Sequence, residues 1–256
     1  IVPISSTLDT AGPITQYIID NVLVYNALIG KDSNDFKSKA VPKIDLEVLK
    51  NSTYKGKRFG AIRGFLDDSL YNAAVDLIKT KGAEIIIVDP KDQALPGFLR
   101  LLNLDMQADL PLYFEKFSSK NNDFNGIQSV IDFNNGDSLN RAPYGQKIFQ
   151  GIVSDTATKK EFKEIKNILK ANGRAYFEQM MKAHQLDGVL SINNYHAGYA
   201  AVAEYPALTV PMGLSLNSEP QGLTFIAKPF CEADLYNWGY HYEKAAKPRP
   251  SPKHYN

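Results

Sequence analysis

The chain of 256 residues is 44% apolar and 22% charged, ordinary proportions for a globular protein large enough to bury roughly three quarters of its unfolded surface. A formal net charge of +1 excludes a broad field for nucleic acid or anionic membrane, and no apolar run approaches the roughly 18 residues of a membrane span, so neither is expected as a partner. The single cysteine, Cys231, excludes an internal disulfide; it reads as a buried structural thiol and fits a reducing, cytoplasmic compartment.

Taken in chain order, residues 1–4 (IVPI) read as a short strand with nothing upstream to pair with. Pro13 suits a first helical position with Gly12 as cap, because its missing N–H falls where a helix offers no partner. Ile14, Tyr17, Ile18, Val22, Tyr25 and Leu28 then recur at helical spacing until Gly30. Residues 31–57, punctuated by Pro42 and Gly56, read as a polar surface connection carrying one short helical turn. Residues 58–65 (RFGAIRGF) read as a buried strand, 69–82 as a helix with Leu70, Ala74, Leu77 and Ile78 on one face, and 83–89 (AEIIIVD) as a second strand apolar enough to be covered on both faces. Such a strand, helix, strand order marks a parallel βαβ unit. The expected fold class is therefore α/β, a mixed, largely parallel sheet flanked by helices.

Residues 91–150 are less periodic: the stretch from Pro96 reads as a helix up to Pro111, and 133–146 (FNNGDSLNRAPYGQ) as a turn-rich loop. From 158 to 185 a long helical pattern directs Phe162, Ile165, Ile168, Leu169, Phe177, Met180 and Met181 to a core, with Gly173 as a costly interruption. The strand GVLSI at 188–192 follows, then a small-residue segment at 196–205, strands at 207–213 and 222–230, a last helix at 232–247 and a basic, proline-rich tail at 248–256. Neither repeats nor linkers interrupt the chain, which predicts one domain over 1–256.

The sequence offers few chemical motifs. His184, His196, His241 and His254 lack metal-ligand spacing, and Gly56, Gly60 and Gly64 lack the order of a phosphate loop, so neither a metal nor a cofactor is expected. Ser52 and Lys55 match the spacing of an SxxK motif but stand in a polar connection without companion motifs. The pair Ser5 and Ser6 could serve acyl transfer only beside a glycine-rich oxyanion cradle, and the chain has no Gly-Gly dipeptide; both serines read as turn or capping residues, with Asp9 and Thr10 organising the turn.

Several stretches together resemble the amidase signature family. IVPISSTLDTAGPITQYIIDNVLVYNALIG is similar to the family's I-P-x-S-x-T-x-D-T-x-G-P segment and the helix after it. KGKRFGAIRGF and KGAEIIIVD resemble its next two strands, and APYGQKIFQ a segment of some branches. DGVLSINNYHAGYAAVAEYPALTVPMG and EPQGLTFIAKPFCEADLYNWGYHYEKAAKPRPSP resemble its C-terminal hallmark, in the correct order. The resemblance implies a three-layer α/β/α fold and an amide-hydrolysing enzyme that uses a serine nucleophile, a cis-serine and a lysine. Those groups sit in motifs preceding the I-P-x-S-x-T segment. The resemblance therefore implies that residues 1–256 are a C-terminal portion with no catalytic residue of its own, inactive alone, supplying scaffold and pocket wall.

Where many relatives carry P-T-x-P, this chain has Asn193, Asn194, Tyr195 and His196. The resemblance implies Asn193, Asn194 and His196 as substrate-binding residues, with Tyr144 and Gln146 at the pocket mouth; His196 is not expected to be a general base, since the resembling enzymes use lysine. The implied partners are a small-molecule amide and the missing N-terminal portion, or a second copy covering the open sheet edge. The alternatives are a non-catalytic amidase-like binding module and part of a glutaminase of the glutamyl-tRNA amidotransferase type.

Overall fold

A computed structural model describes residues 1–35, 37–119 and 123–246; the tail expected at 248–256 lies outside them. The chain divides into two compact units, one of Ile1–Ala11 with Ala94–Asn172, the other of Gly12–Gln93 with the chain from Gly173 onward. In chain order the larger unit begins with α1 (Ile18–Leu28), α2 (Leu46–Asn51), β1 (Arg58–Ile62), α3 (Ser69–Thr80) and β2 (Glu84–Val88). The smaller unit holds α4 (Phe98–Phe117), α5 (Ile127–Asn135), α6 (Ser138–Arg141) and α7 (Lys147–Ser154). Helix α8 (Lys159–His184) gives its first half to the smaller unit and its second to the larger, which continues with β3 (Gly188–Ile192), α9 (Ala197–Ala203), β4 (Ala207–Leu214), β5 (Pro220–Ala227) and α10 (Glu232–Ala246).

The sheet runs β2-β1-β3-β5-β4. Strand β1 lies parallel to β2 and β3, whereas β5 is antiparallel to β3 and β4, so the sheet is mixed in equal parts. The β1-α3-β2 unit forms as its hydrophobic pattern demands, and Asp68 caps α3 by accepting from the N–H groups of Leu70 and Tyr71. Alternation along the strands sorts side chains into two layers. Phe59, Leu190 and Phe225 face Val22 of α1, Ile78 of α3 and Trp238 of α10, with the Phe59 and Trp238 rings 4.9 Å apart. On the other face Val189 and Ile226 meet Phe177 and Met181 of α8 and Ala200 and Ala203 of α9. This larger unit is thus a three-layer α/β/α sandwich.

Several expectations need correction. Residues 1–4 form no strand: the Asp9 carboxylate accepts from the N–H groups of Ile4 and Ser5 at 2.8 and 3.0 Å and folds the segment into a turn. The open sheet edges among the described residues are β2 and β4. Helix α1 starts at Ile18 rather than Pro13, because the Asn21 amide bonds the Pro13 carbonyl at 2.9 Å and Thr15 Oγ1 at 3.1 Å and holds the approach in an irregular turn. Strand β2, expected to be covered on both faces, is half-exposed because it is an edge. In α3 the fully buried face is Tyr71, Ala74, Val75 and Ile78, while Leu70 and Leu77 of the predicted stripe pack on the same core half-buried at its margins.

Helix α4 continues through Pro111. A proline there costs about 3 kcal/mol, and packing of Met106 and Leu110 against Ile127, Ile131 and Ile152 outweighs it. The stretch expected as a loop at 133–146 contains the end of α5 and all of α6. Ile168 is 46% exposed rather than in a core. Gly173 is no mere interruption: a Cβ there would lie 2.5 Å from Val202 Cγ2 and 3.0 Å from the Ala203 nitrogen, so its absence lets α8 approach α9. Cys231 is half-buried, with burial raising its thiol pKa.

Ser5 is a turn residue as expected. Its carbonyl accepts from Asp9 N–H at 2.8 Å, and its fully buried hydroxyl donates to Asp105 at 2.5 Å. Asp105 also accepts from Thr7 N–H and pairs with Lys166 at 3.1 Å. No described helix is long and apolar enough to cross a membrane, and no described cluster of His, Cys, Asp or Glu could hold a metal ion.

Candidate functional site

Strand β3 is fully buried along its length, and at its carboxyl end the chain has to turn before α9 can begin. Asn193 makes that turn with φ of +46°, a left-handed conformation that asparagine tolerates better than most residues. It also extends the pairing to β5: its N–H donates to the Gly222 carbonyl at 2.9 Å, while its Oδ1 accepts from Gly222 N–H at 2.7 Å. Its carbonyl accepts from the Thr224 hydroxyl at 2.6 Å. Gly222 is required here, because a Cβ would collide with the Thr209 methyl group. Asn194 follows on the surface; its carbonyl receives Ala197 N–H at 2.9 Å and starts the turn into α9.

His196 closes the corner. Only 8% exposed, its Nδ1 lies 2.6 Å from Ser191 Oγ and its Nε2 lies 2.7 Å from Tyr176 Oη, so both ring nitrogens are occupied. Phe65 packs on the imidazole at 5.6 Å, and Tyr199 stacks on Tyr176 at 4.1 Å. Burial lowers the His196 pKa and raises that of Tyr176, which keeps the network neutral. Ser191 and His196 are no catalytic dyad, for the serine has no exposed surface and the imidazole is tied on both sides.

Beside this corner lies a cavity of about 390 Å³. Asn193, Asn194 and His196 form one wall, Ala197 and Ala200 of α9 another, and Ala207 and Thr209 of β4 with Thr224 and Ile226 of β5 the third. All three residues expected from the Asn193–His196 departure thus meet at one cavity, in different capacities. Asn193 and His196 hold the wall in shape, whereas the Asn194 side chain has no hydrogen-bond partner among the described residues. The threonines, Ser191 and Tyr176 escaped sequence reasoning. Period-two spacing of Ala207 and Thr209 on one strand face carries a signal for the first; nothing local links Tyr176 to a loop twenty residues on.

Tyr144 and Gln146 belong to the smaller unit. The Tyr144 ring is wholly exposed. The Gln146 amide donates to Asn135 Oδ1 at 2.7 Å and accepts from Asn134 Nδ2 at 3.0 Å, tying the start of α7 to the end of α5.

The cavity thus lies in an open α/β sheet flanked by helices, beside the carboxyl end of the central strand β3, where parallel pairing gives way to antiparallel pairing. The chain belongs to the Amidase family, whose model matches residues 1–236. It superimposes on an amidase family protein of Bacillus anthracis str. Ames with a TM-score of 0.89 at 30% identity, covering 99% of this chain and 52% of that one. The native peptide amidase of Stenotrophomonas maltophilia matches with a TM-score of 0.86 at 25% identity, over 98% and 56%. A probable amidase of Arabidopsis thaliana is 24% identical over 99% of this chain and 51% of its own length. The glutamyl-tRNA(Gln) amidotransferase A-subunit of Staphylococcus haemolyticus is 23% identical over 95% and 56%. The chain spans about half the length of the relatives it matches.

Proposed function

We propose that this chain contributes the scaffold and one pocket wall to an amidase that hydrolyses the C–N bond of a small-molecule amide in the cytoplasm. In this reading the serine nucleophile, cis-serine and lysine come from an upstream portion of the same architecture, with a second copy of the chain on the β2 or β4 edge as the alternative partner. The observation that carries the reading is the cavity itself: a largely apolar chamber of about 390 Å³ with no charged residue among its described lining, walled in part by His196, which Ser191 and Tyr176 fix in place. Ser5 and Ser191 are both fully buried and bonded, which supports a nucleophile from elsewhere. Tyr144 and Gln146 remain proposed for the mouth of the completed pocket.

The test is to assay the purified 256 residues against simple aliphatic and aromatic amides, then repeat after co-expression with the amino-terminal half of an amidase carrying the glycine-serine motifs. No turnover alone and turnover in combination is the expected pair of results. Turnover by the isolated chain refutes the division of labour, and amide binding without gained activity in the pair favours a non-catalytic module. The glutaminase reading draws on the amidotransferase relatives, yet the lack of a charged side chain among the described lining residues supports a neutral amide over an amino-acid amide.

A further inference from the structure

We infer that the cavity wall reads the N–H side of a carboxamide through Thr209 and discriminates against the carboxylate that amide hydrolysis would release. This rests on the reading of the cavity as an amide pocket.

The argument is a count of hydroxyl protons. A threonine hydroxyl has one proton to donate and two lone pairs to accept with. The buried Thr224 hydroxyl donates its proton to the Asn193 carbonyl at 2.6 Å. The contact between Thr209 Oγ1 and Thr224 Oγ1 at 2.8 Å therefore has to be donated by Thr209, because Thr224 has no second proton. That leaves Thr209, an exposed residue on the cavity lining, with lone pairs alone to offer a ligand. A carboxamide supplies N–H donors to meet them. A carboxylate supplies none and would set its own lone pairs against those of Thr209.

The rest of the lining agrees. The Asn194 side-chain amide, on the same cavity and without a partner among the described residues, offers an N–H to the carbonyl oxygen of the same group. Among the described lining residues none brings a fixed counter-charge: burial lowers the His196 pKa, and both its ring nitrogens are engaged. The direction of the relay is built into the backbone, since the left-handed turn at Asn193 aims its carbonyl at Thr224 and Gly222 makes room for the Thr209 methyl group.

The experiment titrates the 256-residue chain, labelled at threonine and alanine methyl groups, with propionamide, N,N-dimethylpropionamide and propionate, following the Thr209 and Ala200 signals by NMR. Propionamide is expected to bind about tenfold more tightly than the other two, the weight of one hydrogen-bonding group left unsatisfied. Thr209→Val, which keeps the shape, should erase the preference, and Thr209→Ser, which keeps the hydroxyl, should retain it. Equal affinity for amide and carboxylate, or a preference that survives in Thr209→Val, overturns the inference while leaving the cavity an amide pocket. If none of the three probes moves either signal, the amide-pocket reading falls and the inference with it.

Discussion

Two buried polar networks, one in each unit, show how differently the same residue type is used. In the larger unit Ser191, His196 and Tyr176 form a neutral chain behind a cavity; in the smaller, Ser5, Asp105 and Lys166 form a charged one that fastens residues 4–9 to α4 and α8. Each contains a serine hydroxyl bonded to a potential base at 2.5 or 2.6 Å, and each serine has no exposed surface. Proximity to a histidine or a carboxylate therefore does not make a nucleophile here; access decides. The charge difference matters too, because a buried ion pair that loses one partner strands the other, whereas a neutral network loses only a hydrogen bond.

The largest test of that contrast is Asp105→Ala, which removes the acceptor of Ser5 Oγ and Thr7 N–H and leaves Lys166 unpaired. A loss of about 3 kcal/mol is expected, near the low end for a buried pair because Lys166 is about a third exposed and regains water. Urea denaturation, together with faster amide exchange at Leu8 and Asp9, measures it. Exchange unchanged at those amides would show that the charged clasp does not hold the segment.

Gly173→Ala ranks next. Helix propensity alone predicts a gain of up to about 1 kcal/mol, whereas the close approach to Val202 and Ala203 predicts a net loss of about 2 kcal/mol from overpacking. The sign of the change in urea midpoint separates the two. In the neutral network Tyr176→Phe deletes one hydroxyl and leaves His196 Nε2 without its partner, for about 1–2 kcal/mol, less than Asp105→Ala.

The last effect is a slope in pH. Burial lowers the His196 pKa in the folded protein, so between that value and the ordinary value of about 6.5 the unfolded chain binds the extra proton. Stability contributed by His196 is therefore present above about pH 6.5 and lost as the pH falls through that window. His196→Gln should flatten the slope in urea titrations at pH 5 to 7, leaving the share due to His241, whose pKa burial also lowers. An unchanged slope would place the acid sensitivity elsewhere.

Legibility differed between the units for a physical reason. In the larger unit the elements bury faces with clean periods, and the βαβ pattern of residues 58–89 and the buried strand at 188–192 predicted β1, α3, β2 and β3 closely. In the smaller unit helices pack against one another through Met106, Leu110, Ile127 and Ile152, so Pro111 was helical and the Asn-rich stretch at 133–141 held the end of α5 and all of α6, with the break confined to Gly136 and Asp137. The Asn193–His196 departure located one wall of the cavity. Which residues complete the corner was not legible, because β4, β5 and Tyr176 reach it only through the fold.

By itself the amino-acid sequence determined the α/β class and the family, and it marked the corner after β3 as a candidate, since hydrophobic period and ordered motifs are local properties. The tertiary structure decided that Ser5 is buried against Asp105, that Gly173 serves packing, that both His196 ring nitrogens are bonded and that Thr209 lies on the cavity lining beside Thr224. Each of these depends on a partner brought close only by folding, and burial and hydrogen-bond direction do not exist until that partner is in place.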